Sequence, residues 1–343
     1  MKKQRHVYLA GIGLAVFFGA ISLVVAAGPG YHLLKKYPFP AAPGATREYF
    51  DYVAVDSAAR RVYISHGTEI IVLDADSGKT IGNITGLKQD HGVAVAAEFG
   101  RGFITDGGQG KVIIFDLQTL KVTGEAKADQ DADSILYDPA SKRVFVMNGD
   151  PHSSTVIDAK TGTVVGTIDL GGGPEFAVSD GKGQIFVNLE DKSEVLAIDA
   201  HKRIVLHRWP LAPGEEPAGL AIDRAQNRLF STCHNQKMVS LNAATGEVLG
   251  TAAIGKGTDA CGFDLEGGLV FSSNGDGTLT VAHEKTDGKL DVLQTVETHP
   301  TARTMALDPK THRVYLVAAK PKAGERRSYE PGSFVILVVG KKE

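Results

Sequence analysis

Carboxylates, and two histidines beside polar partners, are the side chains of this sequence with the clearest capacity for chemistry. His91 follows Asp90 and His234 precedes Asn235, and an imidazole can ligate a metal or shuttle a proton near neutral pH. Neither pair has the spacing of a metal motif. The run Asp129-Gln-Asp131-Ala-Asp133 imitates the start of a calcium loop, yet Ser134 stands where that loop needs Gly and Ala140 where it needs a bidentate Glu. Ser77-Gly-Lys-Thr80 resembles the end of a phosphate loop, but Leu73 occupies the place of its first Gly. His283-Glu284 lacks the second His of a zinc helix, since Asp287 stands there, and Cys233-His234 has no Cys three residues earlier for covalent haem. No Gly-x-Ser-x-Gly elbow occurs. No motif identifies a cofactor.

The elements that position these groups follow from composition. The 343 residues are roughly twice a typical domain, which asks for two domains or one built from repeats. Forty Gly and fourteen Pro, with 43% hydrophobic but only 7% aromatic residues, describe a large aliphatic core cut by many turns. That excludes collagen, coiled coil and disorder. The net charge of -3 does not favour nucleic acid as a partner.

Residues 1–27 read as an export signal. Lys2, Lys3 and Arg5 precede an uncharged apolar run from Leu9 to Ala27, and Val25-Ala26-Ala27-Gly28 suits cleavage after Ala27. The alternative is an uncleaved membrane anchor, the one route to a membrane in this sequence. Either reading places a single domain, residues 28–343, in the periplasm, outside the cell or at its surface. Two cysteines, Cys233 and Cys261, allow one bridge at most, so packing must hold the fold.

From Tyr49 onward one pattern returns: an alternating apolar segment ending near Asp, a short turn, a Val-Tyr-Val-like strand, a polar loop, and an aliphatic strand ending near Asp. Taking Asp56, Ala96, Asp138, Asp180, Asp223, Asp264 and Asp308 as equivalent, the steps are 40, 42, 42, 43, 41 and 44 residues. Seven such units, with tight turns at Gly78, Gly162, Gly246 and Gly288, predict an all-β, seven-bladed β-propeller of four-stranded antiparallel blades. The seventh unit stops short of a fourth strand. Leu34-Lys-Lys-Tyr-Pro38 matches Leu206-His-Arg-Trp-Pro210, which falls at a fourth-strand position, so Tyr31 to Phe39 is expected to close the ring as the outer strand of the last blade.

Val62-Tyr-Ile-Ser65, Val144-Phe-Val-Met-Asn148, Ile185-Phe-Val-Asn188 and Thr155-Val-Ile-Asp158 followed by Thr161-Gly162 resemble the YVTN-type β-propeller repeat of exported bacterial and archaeal proteins. The resemblance covers about residues 31 to 340. It implies a surface or periplasmic binding protein.

In a propeller, the loops entering the innermost strand and those between second and third strands share one face, around the axis. The expected ligand-binding set there is His91, Asp106, Asp131, Asp133, Asn148, Glu175, Asn188, Glu190, His234, Asp259, Asn274 and Arg303. Acids crowd the second to fourth units, whereas Arg303 and Lys320 lie on the seventh. A small molecule, a cation or an envelope protein is the expected partner. The leading expectation is binding without catalysis at the axial face. The rival is a lactonase, an isomerase or a metal-assisted hydrolase, with Glu175 or His91 as base, Asp131 or Asp259 on a metal and Arg303 steadying an oxyanion.

Overall fold

The computed structural model describes residues 30–42, 48–324 and 328–342. The expected leader, residues 1–27, lies outside them. Among the described residues, strands form seven four-stranded antiparallel sheets, each a blade, and no helix is long and apolar enough to cross a membrane. In blades one to six the strands follow chain order from the axis outward. The innermost strands are Val53–Asp56, Asp90–Ala96, Ala132–Asp138, Pro174–Ser179, Pro217–Asp223 and Thr258–Asp264, and Met305–Asp308 serves blade seven.

Closure occurs as the sequence predicts. Tyr31–Pro38 pairs antiparallel with Val335–Lys341 and supplies the fourth strand of blade seven. Gln294 of blade six latches this strand, accepting from the Tyr31 amide at 3.1 Å and donating to the Tyr31 carbonyl at 2.6 Å.

Alternation along each strand divides its side chains between the two neighbouring junctions. In blade two, Phe103, Val112 and Ile114 pack toward blade three, whereas Ile104, Ile113 and Phe115 pack toward blade one. The core is thus seven apolar clusters, one at every blade junction, rather than one central mass. One aromatic ring per blade recurs in the second strand: Tyr63, Phe103, Phe145, Phe186, Phe230, Phe271 and Tyr315 are all buried. Cys233 and Cys261 are buried in adjoining blades and unbonded. The glycine turns have the backbone expected of them, with φ of 71° at Gly78 and 77° at Gly162.

Candidate functional site

One repeat position builds the centre of the ring. Counting five residues back from the Asp-equivalent position of each unit gives Asp51, His91, Asp133, Glu175, Ala218, Asp259 and Arg303. Six of the seven are ionisable, and those six line a single axial cavity of about 320 Å³. In blades two to six this residue sits where the register slips at the head of the innermost strand, for instance between Asp90 and Val93 or between Pro174 and Ala177. Such a bulge leaves one residue without a ladder partner and re-aims its side chain, here toward the axis.

A circle of side-chain hydrogen bonds fixes these heads. At each junction a side chain of one blade bonds a backbone carbonyl of the next, at the ring residue or beside it. Thr105 Oγ1 donates to Asp133 O at 2.6 Å, Ser134 Oγ to Glu175 O at 2.6 Å, and Thr304 Oγ1 to Asp51 O at 2.7 Å. Ser65 reaches Asp90 O, Asn188 reaches Ala218 O, His234 Nε2 reaches Thr258 O, and Ser273 reaches Arg303 O. The seven contacts complete the circuit. Tyr52 and Phe176, one residue after their ring positions, meet edge to face at 5.6 Å.

His91 is the hub. Its Nδ1 lies 2.6 Å from Asp51 Oδ2 and 3.1 Å from Asp133 Oδ1, with the Tyr49 hydroxyl also at 3.1 Å. Gly107 leaves room for the ring, since a Cβ there would stand 2.8 Å from Nε2. Burial disfavours the imidazolium, but the facing carboxylates of Asp133 and Asp51 outweigh it and raise the pKa to about 11. The acids feel the opposite pressure. Burial raises Asp133, and it raises Glu175 well above the carboxylate range with help from Asp133, Asp259 and Glu190. Asp259 is pushed up to about 6 by burial, against the pull of Arg303, whose Nε stands 3.1 Å away.

The expected residues fall into three groups. His91, Asp131, Asp133, Glu175, Asp259 and Arg303 line the axial cavity. His234 lines an adjoining cavity of about 440 Å³ that shares Asp259 and Arg303, and its Nδ1 faces Glu190 at 3.4 Å. Asp106, Asn148, Asn188 and Asn274 line neither, and the side chain of each makes hydrogen bonds within the fold. Asp106 accepts from the amides of Lys88 and Gln89, and Asn188 is a blade-junction clamp. Asn148 donates to Ser153 and Thr155, and Asn274 to Thr278 and Thr280. Lys320 likewise pairs with Glu330, 2.9 Å away.

Sequence reasoning missed Asp51, Tyr49, Tyr52, Gln89 and Tyr329, all of which line the cavity. Asp51 and Tyr52 were within reach of the repeat register carried into the first unit. Tyr329 was not, because it comes from the long blade-seven loop, which has no counterpart in the other units.

The fold and the ring define a class: closed seven-bladed propellers with an acid-rich axial cup. The chain belongs to the family described as outer membrane protein assembly factor BamB, whose sequence profile matches residues 66–323. It is also similar to the uncharacterized protein YncE of Salmonella typhi, 27% identical over 148 residues. That match covers 41% of this chain and 42% of the relative, so the chain spans about two fifths of that protein's length. A chain of the mitotic checkpoint complex superposes with a TM-score of 0.75 at 15% identity, over 98% of this chain and 99% of its own. U3-55K gives 0.73 at 10% identity, over 91% and 99%. The hydrazine synthase of Kuenenia stuttgartiensis gives 0.70 at 14%, over 79% and 93%. At such identities the likeness is one of fold alone.

Proposed function

We propose that the protein is an exported binding propeller of the cell envelope whose axial cup holds a small ligand carrying positive charge. One observation carries this reading: six blades turn an ionisable side chain from the same repeat position into one cavity, and four of the six are carboxylates. Two cations, His91 and Arg303, offset them, and both already face ring acids. Even where Glu175 keeps its proton, three ring carboxylates face two cations, so a ligand cation completes the balance, and in a partly desolvated cup its attraction to carboxylates exceeds that in water. The leader-like segment and the family description support an envelope location.

The test is isothermal titration of the purified protein with putrescine, choline and inorganic phosphate at low salt. The cations are expected to bind and phosphate not. Asp133→Asn with Glu175→Gln should weaken cation binding at least tenfold, about 1.4 kcal/mol. Absence of binding by both cations, or binding indifferent to the double substitution, sinks the reading. Turnover of a lactone or phosphoester that His91→Ala abolishes would move it to catalysis.

A further inference from the structure

We propose that Asp51, His91 and Asp133 form a binding site for one first-row divalent transition-metal ion. The inference rests on the cup being a cation site and names one ion class for it.

Three ligand atoms from three blades, a carboxylate oxygen each from Asp51 and Asp133 and a ring nitrogen from His91, lie within 4.8 Å of one another. For an ion bound at 2.0–2.1 Å, neighbouring ligand atoms stand roughly 3.0–3.4 Å apart. Asp133 Oδ1, 3.1 Å from Nδ1, already stands in that range, and Asp51 Oδ2, at 2.6 Å, must open by roughly 0.4–0.8 Å.

A second observation concerns what the trio leaves undone. Nδ1 carries at most one proton, and Asp51 Oδ2 is the nearer acceptor. Asp133 Oδ1 is buried and has no hydrogen-bond partner. An oxygen in that position normally costs stability unless something ligates it. A divalent ion satisfies both carboxylates at once, taking the place of the Nδ1 proton, which leaves to solvent.

The surroundings suit ligands held in place. Thr304 and Thr105 clamp the carbonyls of Asp51 and Asp133, and Tyr52 reaches toward Asp133 Oδ2 at 3.5 Å. Gln89 stands 3.3 Å from Nε2 and, with its amide turned, accepts that proton when Nδ1 binds metal. The open side of the trio is the cavity itself, which leaves coordination positions for water. An imidazole with two carboxylates favours Mn, Fe, Co or Zn over Ca and Mg, which prefer all-oxygen shells.

The test uses chelator-treated protein titrated with Co²⁺ and followed by its visible absorption, with Zn²⁺ as competitor and Mg²⁺ as control. One Co²⁺ per chain, displaced by Zn²⁺ and not by Mg²⁺, is expected. His91→Ala should lower affinity by more than the roughly 100-fold that marks loss of an outer-shell partner. Asp287→Asn, which removes a carboxylate paired with Lys289 outside both cavities, should retain binding. Should His91→Ala fail to fold, His91→Gln and Asp51→Asn give the same reading once their thermal melts match the parent. No saturable Co²⁺ or Zn²⁺ binding, or binding that survives loss of His91, overturns the site. Putrescine binding without metal binding overturns the site but leaves the cation cup standing; neither binding overturns both.

Discussion

Glu175 shows what the axial cup costs a single residue. Its carboxyl is raised well above the ordinary range by burial and then by Asp133, Asp259, Glu190 and Asp51, whereas in the unfolded chain it ionises near ~4.3. Between those two values the folded state holds a proton that the unfolded state has released. Stability therefore falls as pH rises through that window, and the loss persists above the folded value. Glu175→Gln removes the charge and keeps the shape. It should raise stability at pH 7.5 by about 1 kcal/mol, within the range of single stabilising changes, and add little at pH 4, where the folded state is protonated and the unfolded state mostly so. Urea denaturation at the two pH values checks this, and a gain that persists at pH 4 would refute the electrostatic cause. The same residue illustrates how far the site could be read in advance. Glu175, Asp133, Asp259 and Arg303 were legible because acids and an arginine stood at the loops entering known strands. Asn148, Asn188 and Asn274 line neither cavity for a physical reason: an amide at a strand end bonds the next strand of its own blade, as Asn148 and Asn274 do, or the neighbouring blade, as Asn188 does, as readily as it greets a ligand.

Among the elements, the innermost strands do two jobs at once, because a bulge that turns a side chain inward also leaves backbone groups unpaired. Thr105 answers both needs in blade two. Its hydroxyl accepts from the Gly92 amide at 2.8 Å and donates to the Asp133 carbonyl at 2.6 Å, so one side chain completes its own bulge and anchors the next. Thr105→Val keeps the volume and orphans both groups, at about 2 kcal/mol for the buried pair. Because Asp133 then loses its anchor, affinity for cations in the cup should drop as well. Thr105→Ser should restore both properties. Thermal melts and cation titrations of the two variants decide the point; a Val variant as stable and as tight as the parent would show that the circle of clamps does not position the ring. None of these clamps was predicted, since Ser, Thr and Asn in strands carry no pattern that separates a junction bond from a solvated hydroxyl.

At the scale of the molecule, seven clusters at seven junctions mean that each blade is stabilised only by its neighbours, so a ring differs from a line of blades solely by the junction that closes it. That architecture was legible because Asp56 and its six equivalents repeat at nearly constant steps and each blade buries an aromatic at the same place. Closure was legible through the likeness of Leu34–Pro38 to Leu206–Pro210, although the latch by Gln294 was not. Tyr31 bears most directly on closure. It is buried in the cluster between blades six and seven, 5.1 Å from the Phe271 ring and edge-on to it, with Lys341 over its own face. Tyr31→Ala should cost about 3 to 5 kcal/mol, the range for emptying an aromatic site. It should also loosen the strand that covers the apolar edge Val335–Lys341, an edge able to pair with another chain once bared. Tyr31→Phe keeps the ring and drops a hydroxyl that has no hydrogen-bond partner, so it should hold or raise stability. Denaturation midpoints together with size-exclusion profiles test the pair. Destabilisation and self-association in the Ala variant alone support closure by this strand. An Ala variant that stays monomeric and as stable as the parent would mean the ring holds without its N-terminal strand.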